Sequence, residues 1–567
     1  MLLIGPLIAA GSSAYAATFT VNTTTDAVDA NPGNGVCATS GGSCSLRAAI
    51  QEANALAGAD VITLPAGVYQ LTISGTAEDQ AATGDLDIRT DITINGADAR
   101  TTFIQAGSGP GLGIDRVFDV PIGVSGILSL NNATVRYGTD SSGVGGGGLQ
   151  LNAPGVGGAF NLNNVLVTQN TSTANGGAMR ISGGTVNIVN SAITNNSSSG
   201  GQGGAALCNN LCTLRITNST LSANSGTNGG SLRNTINTSI TLTNSTITRN
   251  TASAGTGGIN TSAGGTMNIR NTIVTDNTGT TDNDATGVVT SGGNNLIGSQ
   301  GTSTGWVGTD LLNNPNARLA PLGNYGGSTP THSLLSGSAA INAGSNCVNN
   351  SSCATFNAPA NVAADERGFA RPASATTDIG AFELPAAPTD FTAVLPAADK
   401  NQAYTTTLAP NTTVGATTYT YTLFGGDTLP NGLNLTTAFA PAAAEQITGT
   451  PTVNGTFFFR VQVSDGANTQ VTRYQLTINA PTAASAGISG RVMDAKGRGI
   501  ARARVVMTLQ DGASRTATTN SFGNYRFDDV AVGQTVILNV SSKSGIFPAA
   551  ALNVGDEITG FDLWALD

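Results

Sequence analysis

Residues 128–278 carry an eleven-residue pattern of apolar and polar positions that returns at nearly constant spacing. LRITNSTLSAN, which contains Asn218, is followed by ITLTNSTITRN, which contains Asn244. In the second copy Ile240, Leu242 and Ile247 alternate with polar residues, a period that indicates half-buried strands. Six copies, aligned on their first Asn, follow at spacings of 32, 26, 28, 26 and 27 residues. These first Asn residues are Asn132, Asn164, Asn190, Asn218, Asn244 and Asn271.

A fixed period of this length is typical of a solenoid. A second Asn comes six residues after the first in five copies, and a glycine pair follows in five. Asn favours bends and Gly tolerates positive φ, so each repeat has no room for a helix. The pattern therefore predicts a parallel β-helix in which each copy forms one coil of about three short strands. We expect the six first Asn residues to stack as a ladder of hydrogen-bonded side-chain amides.

The stretch CSLRAAIQEAN, from Cys44 to Asn54, is the most helix-like part of the chain. A short helix here would cover the open end of the first coil and prevent edge pairing. Its apolar face would consist of Ala48, Ala49, Ile50, Ala53 and Leu56.

The composition of the chain limits the kinds of partner and the cellular location that can be expected. The chain has 74 Gly, 10% charged residues and a formal net charge of -10, with no run of Lys or Arg, which argues against nucleic acid as a partner. An apolar N-terminus ending in Ala14-Tyr15-Ala16 predicts a signal peptide over residues 1–17. No later stretch approaches the roughly 18 apolar residues of a membrane span. We therefore expect a secreted or cell-surface protein without a transmembrane span.

The six cysteines fall into three close pairs. A zinc site would need four converging ligands, whereas these pairs lie far apart and the chain has one His. Close pairs in an exported chain predict small disulfide loops. The expected disulfides join Cys37 to Cys44, Cys208 to Cys212, and Cys347 to Cys353.

Two segments resemble known exported proteins. CSLRAAIQEAN is similar to the CSLREA motif of bacterial β-helix proteins, with Ala48 in place of Glu. NNLIG from Asn294, the stretch 319–344, DERGFARP from Asp365 and DIGAFE from Asp378 resemble the closing segment called choice-of-anchor Q. The resemblance covers roughly residues 18–384. It implies a right-handed parallel β-helix in a secreted or surface-associated protein, without a defined reaction.

Two smaller modules follow a Pro/Ala linker. Residues 385–480 contain about seven short alternating stretches and resemble the immunoglobulin-like or cadherin-like repeats of bacterial surface proteins. Residues 486–567 resemble the carboxypeptidase regulatory-like domain, a prealbumin-like sandwich that implies no peptidase activity. The predicted fold is therefore all-β: a right-handed parallel β-helix over 18–384 with a short N-terminal capping helix, followed by two small β-sandwich domains.

The repeats contain few of the residues that hydrolysis of a glycan requires. Glycoside hydrolysis needs two carboxyl groups about 5 to 10 Å apart. Between residues 128 and 278 the acidic residues are Asp140 and Asp276, more than four coils apart. The chain has a single histidine, His332, and no spacing of Asp and Ser in the sequence indicates a catalytic triad with it. No catalytic residues are predicted, which disfavours an enzyme without excluding one.

Two basic residues are the candidates for ligand binding. Arg180 and Arg233 each stand three residues after a glycine pair, which places them on one face two coils apart. They could contact an anionic glycan, or serve only as solvated charges. Asp276, Asp282 and Asp284 are weak calcium candidates, because their spacing lacks the order of an EF-hand. No other cofactor is expected.

The resulting functional hypothesis is a structural or adhesive protein. Its stiff Asn/Thr/Ser-rich face would contact extracellular glycan, cell-surface components or copies of itself. Two alternatives stay open: a β-helix polysaccharide lyase or glycoside hydrolase, and a self-assembling extracellular filament subunit.

Overall fold

The computed structural model describes residues 16–566 except 77, 354–361, 387–391, 410–412, 415–416, 437–444, 481–484, 511, 533 and 556. The predicted signal peptide therefore lies almost entirely outside the described residues. Among those residues, no helix is long and apolar enough to cross a membrane.

Parallel sheets in which strand order follows chain order confirm the predicted parallel β-helix. The ten-stranded sheet contains Thr18–Thr20, Ala59–Leu64, Asp91–Gly96, Ile127–Asn131, Ala159–Asn163, Thr185–Val189, Thr213–Thr217, Ser239–Thr243, Thr266–Arg270 and Thr290–Ser291. The nine-stranded sheet contains Gly67–Gln70, Thr102–Gln105, Thr134–Arg136, Leu166–Thr168, Ala192–Thr194, Thr220–Ser222, Thr246–Thr248, Ile273–Thr275 and Leu296–Ile297. The eight-stranded sheet contains Leu86–Asp87, Phe118–Val120, Leu149–Asn152, Met179–Ser182, Ala206–Asn209, Leu232–Asn234, Ile259–Thr261 and Ala285–Thr286. A short sheet joins Thr139–Asp140, Thr171–Ser172, Ser197–Ser198, Ser225–Gly226 and Thr251–Ala252.

The first Asn of each repeat turns the chain from the ten-stranded to the nine-stranded sheet. All six have φ between 47° and 54°, a left-handed conformation that Asn tolerates better than most residues. The predicted chain of amide bonds between them forms only in part: Asn164 donates to Asn132 and Asn218 donates to Asn190. Asn218 also donates to the carbonyl of Ala364. Asn271 donates to the carbonyl of Ser345 in the closing segment, and the side-chain amide of Asn244 has no hydrogen-bond partner among the described residues, so the bonds found there do not join all six residues into one ladder.

A continuous buried ladder is formed instead by the second Asn of each repeat. Asn170 donates to the Oδ1 of Asn196 at 3.0 Å, and Asn196 donates to the Oδ1 of Asn224 at 2.9 Å. Each Oδ1 also accepts the backbone N–H of the preceding member. The series continues through Asn250 and Asn277 and ends at Asp284, a carboxylate that only needs to accept. The ladder satisfies buried polar groups at every bend.

The predicted N-terminal helix is present as Leu46–Ala55. Ser45 caps it by accepting the N–H of Ala48. Ala49, Ile50 and Ala53 are fully buried in the core of the first coils. Arg47 is also buried and pairs with Asp26 at 2.7 Å, so one charged residue anchors the helix.

The closing segment forms a hairpin, Leu319–Gly323 with Thr331–Leu334, and a short 3-10 helix, Asn346–Asn349. It packs on the nine-stranded sheet. His332 is buried there, with Nε2 2.9 Å from the Ser222 hydroxyl and Nδ1 2.7 Å from the Ala320 carbonyl. Burial and the nearby Arg249 hold the pKa of His332 well below its usual range, so the ring is neutral. His332 therefore has a structural position.

The three predicted disulfides are confirmed, and two sandwich modules follow the β-helix. The strands of the first module are Thr392–Val394, Ala398–Asp399, Tyr404–Ala409, Thr413–Val414, Thr417–Thr418, Thr420–Leu423, Leu433–Thr436, Glu445–Gly449, Gly455–Ser464 and Thr469–Asn479. The strands of the second module are Ser485–Met493, Arg504–Thr508, Ser514–Thr518, Asn524–Ala531, Gln534–Ser541, Ala550–Val554 and Leu563–Trp564. Buried apolar residues of the first module, such as Phe459, belong to one core cluster with the closing segment. The second module has a separate core that includes Phe527.

Candidate functional site

Part of the Thr/Ser-rich face is not available for contact. Thr220, Ser222 and Thr246, on the nine-stranded sheet, are each at most 1% exposed. The closing segment covers them: Glu366 accepts the hydroxyl of Thr220, and Thr246 accepts the N–H of Ala381 at 3.0 Å. The prediction of one long open polar face is therefore wrong for this sheet, because its hydroxyls are bonded to the closing segment.

The outer face of the ten-stranded sheet does present a regular polar array. Ser129, Asn161 and Asn187 lie in register on adjacent strands. Asn161 donates to the hydroxyl of Ser129 at 3.2 Å, and Asn187 donates to Asn161 at 2.9 Å. Arg215, next in register, is exposed. This array keeps solvent access, but its amides already bond to one another.

The eight-stranded sheet carries a row of charged and polar residues that we call the charged ladder. Strand register stacks its members directly above one another, with neighbouring coils about 4.8 Å apart. The residues on either side of the members, such as Phe118 and Val120, belong to the apolar core except for Asn234 after Arg233, so the ladder points outward. In order, the charged ladder consists of Asp87, Asp119, Gln150, Arg180, Leu207 and Arg233.

The charged ladder changes sign along the coils. Its acidic end contains Asp87 and Asp119, and its basic end contains Arg180 and Arg233, with Leu207 between the two arginines. Arg180 and Arg233 are therefore two coils apart, about 9.6 Å at the usual strand spacing. Both are only partly buried. A row of opposite charges at the two ends can orient a polar, charged ligand along the β-helix.

The acidic end is strongly desolvated. Burial raises the pKa of Asp87 to about 8, and the Asp119 carboxylate adds to the shift. Burial likewise raises the pKa of Asp119 to about 7, while Arg116 opposes the change. At the other end, burial and the like charge of Arg116 lower the pKa of Arg180. Burial therefore favours the neutral forms of these carboxyl groups and of the Arg180 guanidinium.

One arginine compensates part of the negative charge. Arg116 lies 3.2 Å from the Oδ2 of Asp85 and 3.1 Å from the Oδ1 of Asp140. Despite that pair, burial and neighbouring carboxylates raise the pKa of Asp85 well above its usual range. Arg116 is thus engaged with Asp85 and Asp140 and does not bond to the acidic end of the charged ladder within the described chain.

Several atoms of the charged ladder have unmet hydrogen-bonding capacity. The Oδ1 atoms of Asp87 and Asp119 and the Oε1 of Gln150 are buried with no hydrogen-bond partner among the described residues. The Nε and Nη1 atoms of Arg180 and Arg233 are likewise buried and have no hydrogen-bond partner among the described residues. Buried polar groups are nearly always satisfied, and exceptions concentrate where a ligand, ion or water binds. The charged ladder is therefore the candidate site of this chain.

Glycine makes room for the charged ladder at the bend before each strand. A Cβ at Gly145 would lie 2.9 Å from the Cδ of Arg180, and one at Gly229 would lie 3.0 Å from the Cβ of Arg233. Gly145 and Gly229 also have φ of 116° and 80°, which other residues rarely adopt. The glycines of the repeat thus have a steric role beside the two arginines.

The structure does not gather the three sequence-predicted calcium candidates around one point among the described residues. Asp276, Asp282 and Asp284 do not bring three ligand atoms together in the described part of the chain. Asp284 accepts from Asn277 and from the N–H of Ser299, and Asp282 accepts from the hydroxyls of Thr286 and Thr302. The carboxylates of Asp282 and Asp284 are thus used in the hydrogen-bond network of the last coils.

Sequence reasoning missed the acidic end of the charged ladder. The search for paired carboxylates began at residue 128, where the Asn repeat becomes visible, yet Asp87 and Asp119 belong to earlier coils. A signal was present: Leu86-Asp87-Ile88 and Phe118-Asp119-Val120 share the frame of Met179-Arg180-Ile181. The absence of a carboxyl pair from residues 128–278 therefore does not extend to the earlier coils.

A groove lies beside the nine-stranded sheet. This groove has a volume of about 580 Å³ and includes Phe103, Arg136 and Thr168 in its lining. Arg136 donates to Gln105 at 2.8 Å and stacks over the ring of Phe103 at 4.1 Å. Thr168 accepts from the hydroxyl of Thr194. Because these side chains are already paired, the groove is a weaker candidate than the charged ladder.

Family models match the two C-terminal modules. The model described as "Putative Ig domain" matches residues 387–479, and the carboxypeptidase regulatory-like domain model matches residues 487–550. These matches support the two resemblances noted in the sequence. No curated protein matches the chain. The resemblance of residues 18–384 to CSLREA and choice-of-anchor proteins stays a prediction.

Similarity to solved structures is local. The TIE protein of Bacillus anthracis shares 11% identity over 26% of this chain and 34% of its own, with a TM-score of 0.18. Endo-fucoidan hydrolase MfFcnA4 from glycoside hydrolase family 107 shares 15% identity over 33% of this chain and 30% of its own, with a TM-score of 0.14. The I-band fragment I67–I69 from titin shares 11% identity over 31% of this chain and 64% of its own, with a TM-score of 0.14. In each case this chain covers less than two thirds of the matched structure. TM-scores this low indicate nothing about function.

Proposed function

We propose that this protein is an extracellular glycan-binding protein whose β-helix holds anionic saccharides on the charged ladder. The observation that carries the proposal is the pair Arg180 and Arg233, whose buried Nε and Nη1 atoms have no partner in the described part of the chain. Guanidinium groups bind carboxylate and sulfate oxygens through paired hydrogen bonds. Acidic groups on an extended saccharide chain would meet both arginines in turn.

The rest of the chain supports an adhesive role rather than a soluble enzyme alone. Two modules that match family models follow the β-helix, and three disulfides favour an oxidising, extracellular setting. The regular amide array on the ten-stranded sheet would add weak polar contacts. Structural support and glycan attachment are compatible in one stiff molecule.

Binding is tested with the full chain on immobilised uronate glycans and on neutral xylan. We expect retention on the uronates, and we expect Arg180→Gln and Arg233→Gln each to weaken binding about tenfold, the value of one charged hydrogen bond. Arg215→Gln is the matched control, since Arg215 is exposed on the ten-stranded sheet. Equal losses in all three variants, or no retention of the wild type on any glycan, would refute the proposal.

Cleavage of the bound saccharide is a second candidate, favoured by one observation. Asp87 and Asp119 face each other in register, and burial raises their pKa values to about 8 and about 7. A carboxyl group that stays protonated near neutral pH can serve as a general acid. New reducing ends or unsaturated uronates that disappear in Asp87→Asn, with retention unchanged, would support cleavage.

A further inference from the structure

The acidic end of the charged ladder gathers oxygen ligands into a space of ionic size. One carboxylate oxygen from each of Asp79, Asp87 and Asp119 lies within 4.8 Å of the others. Asp87 and Asp119 come from adjacent strands of the eight-stranded sheet, and Asp79 comes from the preceding loop. Two ligands of one ion are at most two bond lengths apart, about 4.8 Å for Ca²⁺ and about 4.2 Å for Mg²⁺. One Ca²⁺ ion can therefore reach all three carboxylates.

A second observation points independently to an absent ligand. Asp87 is fully buried and Asp119 is 6% exposed, yet the Oδ1 of each has no hydrogen-bond partner within the described residues. Gln150, the next member of the charged ladder, is 5% exposed, and its Oε1 is unsatisfied in the same sense. Leaving a buried carboxylate oxygen without a partner is costly. All three atoms are hard oxygen donors, the ligand type that Ca²⁺ prefers.

Nearby hydrogen bonds show that these oxygens keep their capacity for a cation. The Oδ2 of Asp87 accepts the N–H of Ala81, so this carboxylate is held in place while its Oδ1 stays available. Arg116 is engaged by Asp85 and Asp140, and Arg89 donates to the backbone carbonyl of Asp79 rather than to its carboxylate. The cluster therefore lacks a protein cation in contact with its open oxygens, among the residues described.

We propose that Asp79, Asp87 and Asp119, with the Oε1 of Gln150, form a binding site for one Ca²⁺ ion. The ion neutralises the acidic end of the charged ladder and ties the 78–84 loop to the first coils. The carboxylates must be deprotonated to bind, so calcium competes with protons at this site. The proposal is independent of glycan binding, since it concerns the other end of the ladder and is read out by the metal alone.

The test is calorimetric titration of the full chain, freed of metal by a chelator, with calcium chloride and separately with magnesium chloride. We expect one equivalent of Ca²⁺ to bind, more tightly than Mg²⁺, with a higher melting temperature when calcium is present.

Variants locate the ion. Asp119→Asn is expected to weaken calcium binding at least tenfold, the loss of one charged ligand. Its melting temperature without calcium should be no lower than that of the wild type, because it removes a repelling charge. Asp79→Asn, at an exposed position, gives the same loss of binding without a core substitution. Asp276→Asn is the matched control at another exposed Asp and should bind calcium normally.

Two results would overturn the proposal. The first is a wild type that shows neither heat nor a shift in melting temperature with millimolar calcium. The second is calcium binding of equal strength in Asp119→Asn, Asp79→Asn and the wild type, which would place the ion elsewhere.

Discussion

Replacing Asn224 by Ala is expected to lower the free energy of unfolding by about 3 kcal/mol. The side chain is 1% exposed and lies in the middle of the continuous Asn ladder. Its Nδ2 donates to the Ile193 carbonyl at 2.8 Å and to the Oδ1 of Asn250 at 2.9 Å. Its Oδ1 accepts two bonds from Asn196, one from the backbone N–H at 3.1 Å and one from Nδ2 at 2.9 Å.

The large effect arises because the substitution leaves buried groups of other residues unsatisfied. The backbone N–H of Asn196 would lose its acceptor in a place that water cannot reach, and an unsatisfied buried donor costs about 1–3 kcal/mol. Since each coil rests on its neighbours, the loss should be felt by the whole solenoid.

The effect is measured as a shift in the midpoint of urea unfolding, followed by circular dichroism. Asn163→Ala is the matched control, because Asn163 is exposed at the end of Ala159–Asn163. We expect this control to change stability by less than about 0.5 kcal/mol. Equal midpoints of urea unfolding for Asn224→Ala and Asn163→Ala would show that the ladder does not contribute to stability.

Replacing Glu366 by Ala is expected to release the closing segment from the nine-stranded sheet, at a cost of about 3 kcal/mol. Glu366 is 2% exposed and accepts hydroxyl bonds from Thr329 at 3.0 Å and Thr331 at 2.9 Å within the segment. It also accepts the hydroxyl of Thr220 on the β-helix. Removing the carboxyl group would leave these buried hydroxyls short of an acceptor.

The same residue predicts a pH dependence. Burial raises the pKa of Glu366 from 4.5 to about 8, although the three threonine hydroxyls oppose the shift. The folded chain therefore holds the proton more tightly than the unfolded chain does. The resulting stabilisation is complete below pH 4.5, decreases as the pH rises, and is lost above about pH 8.

The variant Glu366→Gln distinguishes the effect of the side chain's shape from the effect of its titration. The amide keeps an acceptor and adds a donor, but it does not titrate, so the decrease in melting temperature between pH 5 and pH 8.5 should be smaller than in the wild type. Proteolysis of the segment should be faster in Glu366→Ala and unchanged in Glu366→Gln. The same pH dependence in Glu366→Gln and wild type would show that other groups control it.

The repeat made the β-helix predictable. Alternating residues such as Ile240 and Leu242 specify which side of a strand is buried, and the period of 26 to 28 residues specifies most of the coil length. The close cysteine pairs and the helical spacing around Ile50 were equally local signals. These features depend on contacts between residues near in sequence or one repeat apart, so a single sequence reveals them.

The candidate site was predictable only at its basic end. Arg180 and Arg233 share a position after the glycine pair, and the repeat therefore brings them to one face. Asp87 and Asp119 lie in coils without the Asn signature, so their register could not be counted from the repeat. Nothing in the sequence around Gln150 indicates a role in binding. That role follows only from its position in register with Asp119.

By itself, the sequence determined the coil, its inward and outward positions, and the chain order of the three modules, because each follows from periodic burial or local composition. Only the tertiary structure decided which polar face stays open, since Glu366 covers Thr220 from a distance of 146 residues. It also decided which Asn residues form the continuous ladder and which carboxylates converge. Both depend on strand register and on a distant segment folding back, and neither leaves a period in the sequence.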